Sequence, residues 1–443
     1  MKNGDGVTLS DKFLTDFTKD VFLPAKKGES VTCLFTAGGG KRTLFNYLLK
    51  EKSFIKQVFG EEFDTTLFVF VDPDEILNVS NEAYLQLILD NLVLEMSKNN
   101  IEPVSKPALK NPLILIKENL AMLLEKNWRA VFILNDFEFT LNLSSTIYLN
   151  LESIHNLESS MFVSRSKIVF LFLATLNLLD ETVIKSFGDL KYGIAKNVKF
   201  FPLFDQEQSY YLLDRIGEKL GKKISGPLKS ALYEVCGGHP RLLKYSLNLI
   251  FKSGMIDETG KNKIIDFLCD KYQLKIICAD VWNFLSEQER ATIVSIVNNG
   301  SITDSQNENA QYLSKLSIVR KTGDKYQVFG EIFRQFVKNK LPKQRLLLDT
   351  NAKKLFYGGK SCEDKFSFQE YSILVFLINH ENQLVTRDQI AEAIWGKNYL
   401  DKYSDWSIDK SISLLRKKLD ALGFPSENLK TLKKRGFSFF NPS

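Results

Sequence analysis

Short apolar segments alternate with longer amphipathic segments over the first 270 residues of the chain. The apolar segments cover residues 31–36, 66–71, 128–134, 167–174 and 198–201. Apolar runs without polar alternation are typical of strands that are buried on both faces, and helical segments between them connect parallel strands. The alternation therefore predicts an α/β fold in which helices cover both faces of a parallel sheet.

A run of glycines follows the first apolar segment, in VTCLFTAGGGKRTLFNYLL. A strand, a glycine loop and a lysine at a helix start bring backbone N–H groups, an ammonium and the positive helix end around phosphates. The residues that we expect at this phosphate site are Gly38, Gly39, Gly40 and Lys41, followed by Arg42 and Thr43 in the helix. A plain strand-to-helix turn is the alternative.

The glycine loop departs from the P-loop pattern GxxxxGK[ST]. Phe35 has the first glycine position, and Arg42 replaces the hydroxyl residue that ligates magnesium. A guanidinium cannot coordinate a cation, although Thr43 is the next residue and could serve. We therefore expect the loop to bind phosphates and to contribute little to magnesium binding.

The segment WRAVFILNDFEF ends in the polar residues Asn135, Asp136 and Glu138. In P-loop NTPases such a strand end presents a carboxylate that holds magnesium, and a following glutamate orients the attacking water. Either Asn135 has the magnesium position and Asp136 the base position, or Asp136 holds magnesium and Glu138 is the base. The candidate catalytic residues are thus Asp136 and Glu138, and these weak magnesium ligands predict little or no ATPase activity. ATP or ADP is the expected cofactor.

Two further motifs follow this acidic strand. KIVFLFLATLN ends in Thr175 and Asn177, and CGGHPRLLKYSLNLI contains His239 and Arg241. Together with the glycine loop and the acidic strand, these motifs over residues 30–251 resemble the STAND branch of ATPases, which is related to AAA+ and archaeal origin-recognition ATPases. The nucleotide contacts that the resemblance implies are Asn135, Thr175, His239 and Arg241. In that family arrangement His239 faces a phosphate, and Arg241 is the sensor-2-like arginine.

The C-terminal residues predict a helix followed by a basic β-hairpin. The helix, SDWSIDKSISLLRKKLDALG, has its apolar residues at spacings of four, three and four, on one stripe: Ile408, Ile412, Leu415 and Leu419. In ENLKTLKKRGFSF, two strand segments flank a turn at Lys434, Arg435 and Gly436. Winged-helix domains bind duplex DNA in this way, with the helix in the major groove and the hairpin against phosphate. We therefore expect double-stranded DNA as a partner.

The expected DNA contacts lie on the helix face opposite the apolar stripe, on its flanks and in the turn. They are Trp406, Lys410, Ser411, Ser413, Leu414, Arg416, Lys417, Lys418, Lys433, Lys434 and Arg435. From Arg416 to the C-terminus there are seven Lys or Arg against two acidic residues, an excess of five in a chain whose net charge is +6. The basic charge is concentrated where a groove-binding element needs it. A solvated face of an ordinary amphipathic helix is the alternative.

Residues 345–439 resemble the effector domain of OmpR/PhoB-type response regulators. The matching pieces follow in order: a hairpin with Gly358 and Gly359, FSFQEYSILVFLI with Glu370, LVTRDQIAEAIWG, LLRKKL and TLKKRGFSF. The groove and wing contacts that the resemblance implies are Lys410, Ser411, Leu414, Lys417 and Arg435. Leu414 stands where the family usually has a basic residue, so sequence preference cannot be transferred from family members.

Residues 271–343 predict a second, smaller winged helix, with helices and a hairpin that turns at Thr322, Gly323 and Asp324. Its expected recognition helix, residues 307–316, has Lys315 as its one basic residue, which favours packing over DNA contact. The expected fold is thus multi-domain: an α/β P-loop NTPase with a helical lid at residues 1–270, a structural winged helix at 271–343, and a DNA-binding winged helix at 344–443.

Composition excludes several other classes of protein. The five cysteines are scattered without a CxxC pair, so neither a disulfide framework nor a zinc site is indicated. The longest apolar run, KIVFLFLATLNLL, is too short to span a bilayer, and the first residues lack the apolar run of a signal peptide. We expect a cytoplasmic protein that has no membrane partner and no structural metal.

These features together predict a nucleotide-responsive DNA-binding regulator. In this interpretation a degenerate STAND-like core controls self-association. The resulting homo-oligomer aligns several C-terminal winged helices, which then bind DNA with avidity. One alternative is an active ATPase, similar to origin-recognition or AAA+ enzymes, that remodels or loads complexes on DNA. Another is a pseudo-ATPase scaffold that needs no nucleotide.

Overall fold

The computed structural model describes residues 9–104, 111–160, 166–255, 260–340, 345–349, 354–358, 360–396, 404–432 and 435–441. The chain forms two compact units, Met1–Lys338 and Asn339–Ser443. Each unit has a hydrophobic core of its own. Residues 271–338 share the larger core of the first unit with the central sheet. The finer predicted boundaries, at residues 270 and 343, stay predictions.

A parallel sheet forms the centre of the first unit. Its strands are β1 (Val31–Phe35), β2 (Thr66–Val71), β3 (Arg129–Leu134), β4 (Ile168–Ala174) and β5 (Val198–Phe201). Neighbouring strands in the order β2-β3-β4-β1-β5 are all parallel. The predicted parallel α/β fold is confirmed. Because β1 pairs with both β4 and β5, the glycine loop that follows β1 lies at the carboxyl edge beside the ends of these strands.

Helices cover both faces of the sheet. They are α1 (Asp11–Lys26), α2 (Lys41–Glu51), α3 (Ser53–Phe59), α4 (Asn81–Lys98), α5 (Pro112–Glu125), α6 (Thr146–His155), α7 (Glu181–Ile184), α8 (Leu190–Lys196), α9 (Gln206–Lys219), α10 (Gly226–Cys236), α11 (Pro240–Lys252), α12 (Lys261–Cys269), α13 (Tyr272–Asn283), α14 (Glu287–Asn299), α15 (Asn307–Lys315) and α16 (Glu331–Lys340). Val131 and Ile133 of β3 pack with α1, α2 and α3, whereas Phe132 packs with α4, α5 and α6. Both faces of β3 are therefore buried, which is why its sequence is a continuous apolar run.

The part of the first unit that follows α13 packs against the sheet domain. A hairpin of β6 (Val319–Thr322) and β7 (Lys325–Val328) follows α15. Tyr312 of α15 lies edge-on to the Phe200 ring at 6.0 Å, and Lys315 Nζ lies 4.7 Å from the centre of that ring. The backbone N–H of Leu203 donates to the carbonyl of Leu316 at 3.1 Å. This α15 face is used in packing, and the assignment of a second winged helix stays a prediction.

The second unit combines two small antiparallel sheets with three helices in the described residues. Its strands are β8 (Leu346–Asp349), β9 (Lys354–Tyr357), β10 (Lys360–Ser361), β11 (Leu384–Val385), β12 (Leu429–Leu432) and β13 (Gly436–Phe439). Its helices are α17 (Phe368–Asn379), α18 (Arg387–Trp395) and α19 (Asp405–Leu422). The C-terminal hairpin pairs β12 with β13, and β11 adds to the other side of β13. A helix followed by a β-hairpin wing is thus present as predicted.

Helix α19 has clear sequence signals at both ends and on its buried face. Ser404 and Ser407 form a capping box at its start, and Gly423 ends it in the left-handed conformation with a φ of 82°. The predicted apolar stripe is buried without exception: Ile408, Ile412, Leu415 and Leu419. Burying one such side chain contributes ~1.5–3 kcal/mol to stability, so the stripe fixes which face of α19 remains outside.

Among the described residues, no helix is both long and apolar enough to cross a membrane.

Candidate nucleotide site and nucleic-acid interface

The glycine loop turns sharply between β1 and α2. The N–H of Gly39 donates to the Thr36 carbonyl at 2.8 Å. Gly38 and Gly40 have φ values of 74° and 90°, in the left-handed region that glycine adopts at no steric cost. Helix α2 then begins at Lys41, so the unpaired N–H groups of its first turn lie next to the loop. Such a loop at a helix N-terminus can bind an anion.

A cavity of about 580 Å³ lies at this loop. Its polar lining includes Lys41, Arg42, Thr43, Asp136, Thr175, Arg241, Lys244 and Asp280. Its apolar lining includes Leu9, Phe13, Phe35, Phe201, Pro202, Leu203, Phe204, Leu212, Tyr245 and Phe284. The volume is within the ~300–1,000 Å³ of small-molecule sites. Cationic and aromatic groups together suit a ligand with both an anionic part and a flat ring.

The ammonium of Lys41 joins three strand ends of the predicted site. Its Nζ lies 2.6 Å from Asp136 Oδ1 and 3.4 Å from Thr175 Oγ1, and the residue is only 8% exposed. Asp136 has a left-handed backbone with φ 45° and ψ 50°. The other carboxylate oxygen, Oδ2, accepts from Asn135 Nδ2 at 2.7 Å. The structure therefore brings Lys41, Asp136 and Thr175 together, with both oxygens of Asp136 already in hydrogen bonds.

Two residues of the acidic strand end lie away from the cavity lining. Asn135 is fully buried, and its Oδ1 has no hydrogen-bond partner within the described part of the chain. Glu138 accepts from the Thr175 N–H through Oε1 at 2.9 Å, while its Oε2 is buried without a described partner. Burial raises the pKa of Glu138, although the Lys41 charge opposes this. The carboxylate of Glu138 contacts the β4 backbone, and its role in orienting water stays a prediction.

Arg42 has two carboxylate partners that the sequence did not indicate. Its Nε lies 2.7 Å from Asp72 Oδ2, and its Nη1 lies 2.6 Å from Asp74 Oδ2. Both aspartates follow β2, in the segment VFVDPDE. The available signal was an acidic pair at a carboxyl strand end, which parallel strands place at the same edge as the glycine loop. Thr43 is exposed on the first turn of α2 and lines the cavity.

His239 connects the glycine loop to the start of α11. Its Nε2 lies 2.8 Å from the Ala37 carbonyl, and its Nδ1 accepts from the Leu242 N–H at 3.2 Å, which assigns the proton to Nε2. Burial lowers the pKa of His239 to about 4. A Cβ at Gly38 would lie 2.9 Å from His239 Cε1. Both ring nitrogens bond to backbone and the ring anchors the loop, so the phosphate contact of His239 stays a prediction.

Arg241 lines the cavity from α11 and pairs with α13. Its Nη1 lies 3.0 Å from Asp280 Oδ2, and both side chains are partly exposed. An exposed pair of this kind contributes little stability, typically ~0–1 kcal/mol. A phosphate can therefore compete for Arg241 at small cost. Its sensor-2-like role stays a prediction.

The exposed face of α19 has the composition expected for groove contact. Its exposed residues include Trp406, Lys410, Ser413, Leu414 and Lys417. Trp406 is 69% exposed and Leu414 is 44% exposed, so apolar groups as well as ammonium groups are accessible. Lys410 Nζ lies 5.0 Å from the Trp406 ring centre. In the wing, Arg435 is exposed. Lys433 and Lys434 lie outside the described residues.

Three of the predicted DNA contacts are instead used inside the C-terminal unit. Arg416 donates through Nε to the Leu429 carbonyl at 2.9 Å and through Nη2 to Thr431 Oγ1 at 2.7 Å. Lys418 Nζ lies 2.5 Å from Glu370 Oε2. Ser411 donates to the carbonyl of Ser407 at 2.9 Å. These side chains join α19 to the wing, to α17 and to its own preceding turn, and their DNA contacts stay predictions.

Comparison with known proteins identifies the C-terminal fold. Residues 365–439 match the family described as "Transcriptional regulatory protein, C terminal". This region is an OmpR/PhoB-type winged helix. The OmpR/PhoB-type winged helix is a DNA-binding module, so the chain combines a DNA-binding domain of transcription regulators with a parallel α/β unit.

Two curated relatives match parts of the chain. A stretch of 63 residues is 35% identical to the uncharacterized transcriptional regulatory protein YkoG of Bacillus subtilis, and covers 14% of this chain and 26% of YkoG. A stretch of 170 residues is 25% identical to the heme response regulator HssR of Staphylococcus epidermidis, and covers 38% of this chain and 68% of HssR. Among solved structures, a Walker-type ATPase of Pyrococcus abyssi has a TM-score of 0.49 and 10% identity, over 73% of this chain and 95% of that one.

Proposed function

We propose that this chain is a cytoplasmic transcription regulator whose P-loop cavity binds ATP or ADP, and that the bound nucleotide promotes self-association and DNA binding by the C-terminal winged helix. The observation that carries this proposal is Lys41, which lies in a cavity beside a glycine loop and a helix N-terminus. The OmpR/PhoB-type winged helix at residues 365–439 supports the DNA-binding half of the proposal.

The phosphate groups of a nucleotide have several partners available in this cavity. Lys41 exchanges Asp136 for a phosphate oxygen, and the first-turn N–H groups of α2 donate to the same anion. Arg241 and Lys244 add positive charge from α11. The aromatic lining at Phe13 and Phe201 gives the base an apolar surface. Each of these contacts needs only groups that are already at the cavity wall.

Two contacts link the region of the nucleotide cavity to other helices of the first unit. Arg241 pairs with Asp280 on α13, so a phosphate that attracts Arg241 weakens the contact between α11 and α13. Asn177, just after β4, donates through Nδ2 to Glu289 Oε1 on α14 at 3.2 Å. The end of β4 therefore contacts the helices after residue 270 directly. A change at the cavity can alter how these helices present a surface to a second copy.

Slow or absent hydrolysis follows from the same geometry. Phosphoryl transfer depends on positioned charges and a positioned water. Glu138 contacts the β4 backbone, and Asp136 is in hydrogen bonds to Lys41 and Asn135. We therefore expect turnover far below the ~1 s⁻¹ of ordinary enzymes. Robust hydrolysis that is lost in Lys41→Ala would favour the alternative of an active ATPase.

Calorimetric titration of the full chain with ADP tests the nucleotide proposal. A charge-assisted hydrogen bond is worth about 1.5–3 kcal/mol, so Lys41→Ala is expected to weaken ADP binding by at least about tenfold. Lys50→Ala, an exposed lysine in the last turn of α2, is the matched control and should bind ADP as the wild type does. Absence of binding in wild type and both variants would instead favour the nucleotide-independent scaffold.

A further inference from the structure

Arg42 has the sequence position of the magnesium-ligating hydroxyl of a P-loop, and its guanidinium is paired with two carboxylates. Arg42 directly follows Lys41 and lines the cavity. Asp72 holds its Nε at 2.7 Å, and Asp74 holds its Nη1 at 2.6 Å. The Asp72 side chain is only 2% exposed, and its other oxygen accepts from the Asp74 N–H at 3.3 Å. A buried carboxylate thus anchors a cation at the cavity wall.

The residues around this position do not fit magnesium. Magnesium requires oxygen ligands in near-octahedral geometry, including carboxylates. Both oxygens of Asp136 accept hydrogen bonds, from Lys41 and from Asn135. Asn135 offers a neutral amide that is fully buried. The nearby carboxylates of Asp72 and Asp74 are both paired with Arg42, whose positive charge repels a divalent cation at short range.

The same residues fit a phosphate without metal. A guanidinium has five N–H donors; Arg42 donates one to Asp74, and its Nε lies beside Asp72, so at least three remain. These donors have the planar geometry that binds two phosphate oxygens together. Lys41 lies on the same first turn of α2 and supplies a second charge. Arg42 and Lys41 can thus donate charge-assisted hydrogen bonds to phosphate oxygens that magnesium binds in ordinary P-loop sites.

We propose that the cavity takes the metal-free form of a nucleoside diphosphate or triphosphate, with the Arg42 guanidinium in the place of magnesium. This inference rests on the proposed nucleotide function and deepens it. Magnesium then competes with the protein for the nucleotide. Because a triphosphate holds magnesium more tightly than a diphosphate, ADP keeps the larger metal-free fraction, and the site favours ADP over ATP when magnesium is abundant.

A magnesium titration of ADP binding tests this inference on the full chain. The apparent dissociation constant is measured by calorimetry in a chelating buffer and then at rising magnesium concentration. We expect it to rise in inverse proportion to the fraction of ADP that remains free of magnesium. An unchanged or tighter constant in magnesium overturns the inference and leaves the nucleotide proposal standing. Absence of ADP binding in both buffers overturns both proposals.

The variant Arg42→Thr restores the hydroxyl of the P-loop pattern and provides a second test. We expect it to bind ADP more weakly than wild type in chelating buffer and to lose the inhibition by magnesium. Lys50→Thr on the same helix is the matched control and should keep the wild-type magnesium response. Thermal unfolding of each variant shows whether it is folded. An Arg42→Thr variant that is folded and retains the wild-type response contradicts the role of Arg42.

Discussion

Arg416, Lys417 and Lys418 are adjacent cationic residues with three different environments. The helix turns each successive side chain by ~100°, so Arg416 meets the wing strand and Lys418 meets α17, while Lys417 remains exposed. The number of basic residues near the C-terminus is therefore larger than the number of cationic side chains that are accessible to DNA. The cationic side chains on the exposed surface include Lys410, Lys417 and Arg435.

Alanine variants separate these roles. Lys417→Ala is expected to weaken DNA binding and to reduce the slope of log affinity against log salt by about one, with the free energy of unfolding unchanged. Arg416→Ala is expected to lower that free energy by ~1–3 kcal/mol, because the carbonyl of the buried Leu429 loses a charged donor. Fluorescence anisotropy across a salt series and urea denaturation measure the two effects. The assignment fails if Lys417→Ala leaves the salt slope at its wild-type value.

Among the secondary-structure elements, His239 links the start of α11 to the glycine loop. The ring caps α11 through Nδ1 and bonds to the loop through Nε2. The close contact between Gly38 and His239 leaves no space for a side chain at position 38. The glycine loop is therefore held against the start of α11 by a ring that must remain neutral to accept from the Leu242 N–H.

The neutral ring predicts a pH dependence. Burial lowers the pKa of His239 from 6.5 to about 4, so below pH 6.5 the unfolded chain binds a proton that the folded chain does not bind. The stability that the neutral ring contributes is present above pH 6.5 and is lost as the pH falls towards about 4. His239→Asn can still cap α11 and should lose less unfolding free energy than wild type between about pH 7 and about pH 4.5. Urea denaturation at both pH values measures this, with His155→Asn as control. Equal losses in wild type and His239→Asn would refute it.

The sequence predicted the elements better than the side-chain partners. The strands and α19 were predicted because apolar runs, stripe spacing and capping residues are local signals. The pairing of Arg42 with Asp72 could not be read from the sequence, since it depends on which strand ends meet at the sheet edge. Glu138 illustrates the same limit: the acidic strand end was visible, but its contact with the Thr175 N–H was not.

On the scale of the whole molecule, the chain joins a cavity-bearing unit to a DNA-binding unit. The helices after residue 270 belong to the first unit and contact cavity elements through Asp280 and Glu289. A regulator of this design can change DNA affinity without altering the winged helix itself. Self-association that aligns several winged helices raises DNA affinity through avidity.

Nucleotide control is tested by measuring how the full chain binds a duplex selected from a random library, using fluorescence anisotropy with and without saturating ADP. We expect ADP to lower the midpoint of the wild-type isotherm and to make it steeper, because aligned winged helices bind together. Lys41→Ala should give the same isotherm with and without ADP. Identical isotherms for a wild-type protein that calorimetry shows to be saturated with ADP would contradict nucleotide control.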